Sequence, residues 1–230
     1  VVEEALVGGG AVVGLAAYAV RGKSSSLIAP SIWHGNRNRR AIALTFDDGP
    51  SESTPALLEM LARHNARATF FMCGQNVRRL KGIAKEVAAA GHEIGNHTES
   101  HPPLYFKSPG FMERELALGQ ESIHAATSIN PVLFRAPYGV RWPGLGRAQE
   151  KLQLTGVMWT AIGNDWKWQA DRICLRLLKS AQNGAIFCLH DGRELQTAPD
   201  IRATLQAVET LLPILKERGF SLETVTEIRR

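Results

Sequence analysis

A chain of 230 residues is long enough to bury a full core and short enough to form one α/β domain of barrel size. Its 27 basic and 22 acidic side chains are well mixed, so the net charge of +5 makes a mildly basic surface that tolerates an anionic polymer. No zinc-finger spacing, aromatic RNA-binding signature or basic helical stripe is present, and nucleic acid is not an expected partner.

The chain opens on an uncharged stretch, residues 5–20, rich in Gly, Ala and Val. It reads as an export or membrane-anchoring segment, short against the roughly 20 apolar residues a span needs. Ala17-Tyr18-Ala19 has the small-x-small form of a signal-peptidase site. Glu3 and Glu4 before it, with Arg21 and Lys23 after it, run against the charge order of an exported C-terminus. Arg21 to Arg40 reads as a polar linker, which makes residues 1–40 an N-terminal segment and 41–230 the folded domain.

Ala41-Ile42-Ala43-Leu44 is a buried strand that ends in Thr45-Phe46-Asp47-Asp48-Gly49-Pro50. Ser53 or Thr54 with Pro55 starts a helix running to about His64. Arg67 to Cys73 is a second strand, and Val77 to Ala90 is an amphipathic helix stopped by Gly91. Glu93-Ile94-Gly95 is a short third strand. Pro109 to Thr127 is helical, with Glu113, Glu115 and Glu121 facing out and Phe111, Leu116, Leu118 and Ile123 packing. Val132 to Phe134 is the fourth strand, followed by a short helix from Leu145 to Leu152. Gly156 to Trp159 is the fifth, Arg172 to Ala181 a helix, and Ala185 to Leu189 the sixth. A long helix from Asp200 to Arg218 precedes the last strand, Phe220 to Val225. About seven strands separated by helices predict a parallel, barrel-like α/β sheet. Cys73, Cys174 and Cys188 are odd in number and widely spaced, which predicts free buried thiols.

In such folds chemistry gathers at the C-terminal ends of the strands. Asp47 and Asp48 follow the first strand, His97 and His101 the third, Arg135 the fourth, Asp165 the fifth and His190-Asp191 the sixth. Two adjacent carboxylates are costly unless a cation or an arginine holds them, the alternative being a solvated turn. His97 and His101, four apart, share one side if that turn is helical, and Asp48 would complete a site of one carboxylate and two imidazoles. That composition suits Zn²⁺ and is compatible with Co²⁺ or Mn²⁺. His92 is expected to be a polar contact rather than a ligand, and His34, His64 and His124 to be structural.

Thr45-Phe46-Asp47-Asp48-Gly49-Pro50, His97-Thr98-Glu99-Ser100-His101-Pro102, Arg135-Ala136-Pro137-Tyr138-Gly139, Asp165-Trp166 and Leu189-His190-Asp191 resemble, in order, the five motifs of the polysaccharide deacetylases. This is the NodB-homology group, carbohydrate esterase family 4, and the resemblance covers residues 41 to 228. It implies a deformed (β/α) barrel and metal-dependent hydrolysis of acetyl groups on a glycan. Carried over by position, Asp48, His97 and His101 would bind one divalent metal ion and Asp47 would be the general base, held by Arg135. His190 would be the general acid, tuned by Asp165. Tyr138 would lend its backbone N–H to the oxyanion, and Trp166 would wall the acetyl pocket. Cys188 departs from the family, which commonly has an aliphatic residue two positions before the last histidine. Strand alternation puts its thiol on the face of His190, where acyl preference would be set.

These roles agree with what amide hydrolysis requires: an acidified water, a base, a donor for the developing oxyanion and an acid for the departing amine. The expected protein is a monomeric hydrolase of carbon–nitrogen bonds other than peptide bonds. It would remove N-acetyl groups from an N-acetylglucosamine-containing glycan such as peptidoglycan or a chitin-like oligosaccharide, outside the cytoplasm, secreted or anchored through residues 5–20. The alternatives are an O-acetyl esterase on xylan-type glycan and an inactive carbohydrate-binding module.

Overall fold

A computed structural model describes residues 13–230. The segment expected to export or anchor the chain therefore lies partly outside the described residues. Its remainder belongs to a helical stretch, 13–21, and no described helix is long and apolar enough to cross a membrane.

The described residues form a sheet of nine strands: β1 (Ser31–Ile32), β2 (Ala41–Gly49), β3 (Ala68–Met72), β4 (Glu93–Asn96), β5 (Leu133–Phe134), β6 (Thr155–Val157), β7 (Ala161–Ile162), β8 (Ala185–His190) and β9 (Ser221–Leu222). Eight run in the order β1-β6-β5-β4-β3-β2-β8-β7, and β9 pairs with β2 off that path. The pairings between strands are parallel, as βαβ crossovers demand, and the sheet curls into a half-barrel.

Both faces of β2 and β8 are covered, which is why residues 41–44 and 185–189 run apolar without interruption. Ile42, Leu44 and Phe46, with Phe187 and Leu189, pack outward beneath the helices, among them Leu57, Leu177 and Leu211. Ala41, Ala43 and Ile186 point the other way, toward Phe71, Leu133 and Val157 inside the curl. Continuing that inner row to the strand ends brings Thr45 and Asp47 on β2 beside Cys188 and His190 on β8, their register partners.

All seven expected strands are present, and several readings change. First, β2 does not stop before the two carboxylates but carries them to Gly49. Second, the stretch from 21 to 40 lies against the fold. Its residues Ser31 and Ile32 make β1, which pairs with β6, and Ala29 is fully buried. The buried Arg141 guanidinium donates to the carbonyls of Gly22 and Ser25, a long-range hold that no local pattern announces. Third, β7 is an additional short strand on β8. Fourth, the helix expected from 77 to 90 is two helices, Gly74–Arg79 and Lys81–Ala89, broken at Leu80 with φ −121° and ψ 48°. Fifth, on the helix Pro109–Thr127 Glu115 is buried and Leu118 is exposed, because Glu115 is needed beneath the loop that follows β4. The last strand is shorter than expected, and Thr224 caps a closing turn of helix, Val225–Ile228, through a reciprocal bond with Glu227. All three cysteines are free and buried, as expected.

Candidate active site

The inner row opens into a cleft of about 640 Å³ lined by Asp47, Asp48, His97, His101, Tyr138, Trp159, Trp166, Cys188 and His190, with Arg21, Arg193 and Glu194 at its edge. Strand geometry alone would turn neighbours 47 and 48 to opposite faces. A bulge prevents this: the β2–β3 register shifts between Asp47 and Gly49, and Asp48 sits at φ 71° in the left-handed region. Both carboxylates then reach the cleft. Gly192 is required opposite the bulge, since a Cβ there would lie 2.5 Å or less from the backbone of Asp48.

His97 and His101 come together without a helical turn. Thr98 and His101 lie at φ 67° and 54°, a folded loop tied down by its own polar groups. Asn96 Oδ1 accepts from the Thr98 N–H at 2.8 Å, Thr98 Oγ1 from the His101 N–H at 3.1 Å, and the Glu115 carboxylate from the Ser100 N–H at 2.9 Å and from its hydroxyl. The two imidazole centroids end 4.9 Å apart.

Asp48 Oδ1 stands 3.3 Å from His97 Nε2 and 3.1 Å from His101 Nε2, yet it is buried without a hydrogen-bond partner. His97 Nδ1 donates to the carbonyl of Arg135 at 2.7 Å, so in the neutral ring Nε2 offers a lone pair to the carboxylate. A carboxylate oxygen and two imidazole nitrogens converging at this range make a donor set that a cation can bridge. The three residues form one of two groups among the described residues that could hold a metal ion. The donor set fits a divalent transition metal. Burial works to raise the Asp48 carboxyl, but His101 and His97 beside it, with His190 further off, more than reverse this and hold it well below the usual carboxylate range. Its Oδ2 accepts the backbone N–H of Glu194 at 2.9 Å, and its carbonyl accepts from the Asn76 amide at 2.7 Å.

Asp47 is paired differently. The fully buried Arg135 donates to its Oδ1 at 2.7 Å, to Thr45 Oγ1 at 2.6 Å and to the carbonyls of Val157 and Met158, while its guanidinium lies over the Phe71 ring. Cys188 Sγ is 3.4 Å from the other oxygen, Oδ2. Across the cleft, His190 Nδ1 meets Asp165 Oδ1 at 2.8 Å, and Asp165 Oδ2 accepts from the His190 N–H and from Thr204 Oγ1. Burial alone would lower the His190 pKa, but Asp165, and then Asp48 and Asp47, raise it to about 9. For Asp165 burial opposes ionisation, while His190, Thr204 and Arg193 overcome it and lower its pKa. Trp166, half exposed, sets its edge against the His190 ring at 5.1 Å. Tyr138, at φ 56°, lies edge-on to His101 at 4.8 Å and donates its hydroxyl to Glu194 at 2.6 Å.

The structure thus brings together every residue singled out from the sequence. His92 stands apart, accepting the Ala68 N–H at 3.2 Å. Three contributors were not anticipated, Thr204, Glu194 and Asn76; the buried Asp191 was placed at the end of its strand by the sequence but given no role. Asp191 accepts from Thr54 Oγ1 at 2.6 Å and packs against Gly49; burial first, then Asp48, raises its carboxyl to about 7. The Leu189-His190-Asp191 run was the available signal for Asp191. The other three act through long-range bonds and carry no local pattern.

A curled parallel sheet with an Asp-His-His cluster at its strand ends defines a class that comparison makes specific. A family profile described as polysaccharide deacetylase matches residues 34–157. The peptidoglycan-N-acetylglucosamine deacetylase PgdA of Listeria monocytogenes is 33% identical over 206 residues, 89% of this chain and 42% of its own length. A chitooligosaccharide deacetylase of a Bradyrhizobium species is 33% identical over 198 residues, 82% of this chain and 90% of its own. Among solved structures, a carbohydrate esterase family 4 pseudoenzyme from Bacillus anthracis superposes with a TM-score of 0.79 at 28% identity, covering 89% of this chain and 70% of that one. The chain belongs to the polysaccharide deacetylase family. It spans less than half the length of the Listeria relative.

Proposed function

We propose that this protein is a metal-dependent deacetylase that removes N-acetyl groups from an N-acetylglucosamine-containing glycan, peptidoglycan or a chitin-like oligosaccharide. The observation that carries this reading is the meeting of Asp48, His97 and His101 at 3.1–3.3 Å, beside one carboxylate held by arginine and one imidazole held by carboxylate. Because the fold is shared with a pseudoenzyme, the fold alone does not decide for activity, and the support for it comes from these side chains. The relatives named as peptidoglycan and chitooligosaccharide deacetylases support the substrate class.

Asp48, His97 and His101 would hold one divalent cation, Zn²⁺ by donor set, with Co²⁺ or Mn²⁺ able to replace it. When bound, it acidifies water and polarises the acetyl carbonyl. Asp47, aimed by Arg135 through Oδ1, takes the proton of the attacking water. The Tyr138 backbone N–H donates to the carbonyl oxygen as charge develops there. His190 carries a proton at neutral pH, with Asp165 on Nδ1, and delivers it from Nε2 to the departing amine. Trp166 and Cys188 wall the acetyl methyl and keep bulk water from it. Residues 41–230 are the catalytic domain, braced by β1. A wall or chitin-like polymer as substrate puts the site of action outside the cytoplasm.

Acetate release from chitin oligomers, peptidoglycan and acetylated xylan, measured with the metal-loaded chain, tests the reading. Release from the amide substrates and its loss in Asp47→Ala support it. Release from xylan alone would make the protein an esterase, and none from any substrate would make it a glycan-binding relative without catalysis.

A further inference from the structure

Beside the Asp48 cluster lies another set of donors. Asp47, Cys188 and His190 each offer one ligand atom, and these lie within 4.8 Å of one another. Their remaining bonds leave the same side free. Arg135 takes Oδ1 of Asp47 and leaves Oδ2, the oxygen 3.4 Å from the Cys188 thiol. Asp165 takes Nδ1 of His190 and leaves Nε2. An imidazole held by a carboxylate on one nitrogen is how a protein presents the other to a metal, fixing both tautomer and ring plane. Thiolate, imidazole and carboxylate together form a soft to borderline donor set, which Zn²⁺ and Co²⁺ accept and Mn²⁺ or Mg²⁺ does not favour.

We propose that Asp47, Cys188 and His190 form a second, inhibitory site for a thiophilic divalent cation such as Zn²⁺. Filling it releases two protons to solvent, one from the Cys188 thiol and one from His190 Nε2, and replaces them with metal–sulfur and metal–nitrogen bonds; no electron is transferred. Because the cation must displace both protons and share the Asp47 carboxylate with Arg135, the site fills after the Asp48 cluster. Its consequence rests on the function proposed above: one ion there occupies both the base and the acid, so deacetylation stops although the first metal stays in place. Cys188 is the element that makes this possible, since an aliphatic side chain at that position leaves only two donors.

Titration of the metal-free full chain with Co²⁺, followed by absorbance, separates the two sites. The first equivalent, on oxygen and nitrogen donors, is expected to give visible ligand-field bands only. The second is expected to add near-ultraviolet thiolate-to-cobalt charge transfer. Cys188→Val should bind the first equivalent and lose both the second and its near-ultraviolet band. His190→Gln, which keeps the thiol, should need about tenfold more Co²⁺ to show that band, and it decides the matter if Cys188→Val does not fold. In acetate-release assays Zn²⁺ beyond one equivalent should inhibit while Mn²⁺ does not, and Cys188→Val should need at least about tenfold more Zn²⁺ for half inhibition of its own activity. A single equivalent without charge transfer in the unaltered chain, or a band that survives in Cys188→Val, overturns this inference alone. No equivalent at all overturns the metal-dependent function as well.

Discussion

Asp47 and Asp48 are neighbours in the chain with opposite surroundings: Arg135 neutralises the first, and two imidazoles flank the second. That division predicts different losses. Asp47→Ala should lower kcat for acetate release by about 10²–10⁴-fold while the protein still retains metal. Loss of both together would make Asp47 a ligand rather than a base. His190 gives a pH dependence whose sign follows from its direction of shift. An acid catalyst works only while protonated, and a pKa raised to about 9 keeps His190 competent through neutrality, so activity should fall as pH climbs through roughly that value. A cation at Asp48 cancels part of that carboxylate's pull, so the loaded enzyme has its basic limb at or somewhat below about 9. Asp165→Asn removes the largest contribution that raises the histidine, and the limb should move down by about one pH unit or more. An unmoved limb in kcat against pH would show that another group sets it.

At the scale of elements, the bulge in β2 and the loop after β4 create the site, and both are held from outside it. Glu115 ties Ser100 between the two histidines, so Glu115→Ala should weaken metal binding about 10–100-fold by calorimetric titration without unfolding the chain; unchanged affinity would leave the loop's shape to Asn96 and Thr98 alone. His92 supports the start of β3 through a neutral ring. Burial, helped by Arg67, depresses its pKa to about 4, below the ordinary value near 6.5. A depressed folded-state pKa stabilises above the unfolded value and is lost as pH falls, so between about 6.5 and 4 the protein should lose roughly 1–3 kcal/mol that His92→Gln does not lose. Denaturant titrations of both proteins across that window check it, and parallel losses would contradict it.

These elements also show where a linear reading stops. The apolar runs at 41–44 and 185–189 disclose strands through composition, and the polar residues after them disclose the site, because parallel strands deliver their ends to one rim. The left-handed Asp48 is invisible in sequence, since its cause is packing against Gly192, far along the chain. The His97–His101 spacing suggests a helix, but the structure makes a loop, because Glu115 and Asn96 reward that shape. Residues 21–40 look like a linker for a related reason: the buried partner of their carbonyls is Arg141, more than a hundred positions away.

For the molecule as a whole, the sheet supplies rigidity and its rim supplies function. A metal joining the ends of two strands should stabilise the fold it rests on. At a hundred times its dissociation constant a ligand contributes about 2.7 kcal/mol, which for a chain of this size raises Tm by roughly 5–10 °C. Calorimetric scans of chelator-treated and reloaded protein should differ by that order, and superimposable scans would mean that no ion bridges the strands. The most direct measurement is elemental analysis of the purified chain and its His101→Ala variant after exhaustive dialysis. The account predicts one tightly retained divalent ion per chain in the first and none in the folded second; equal metal content in the two would contradict it.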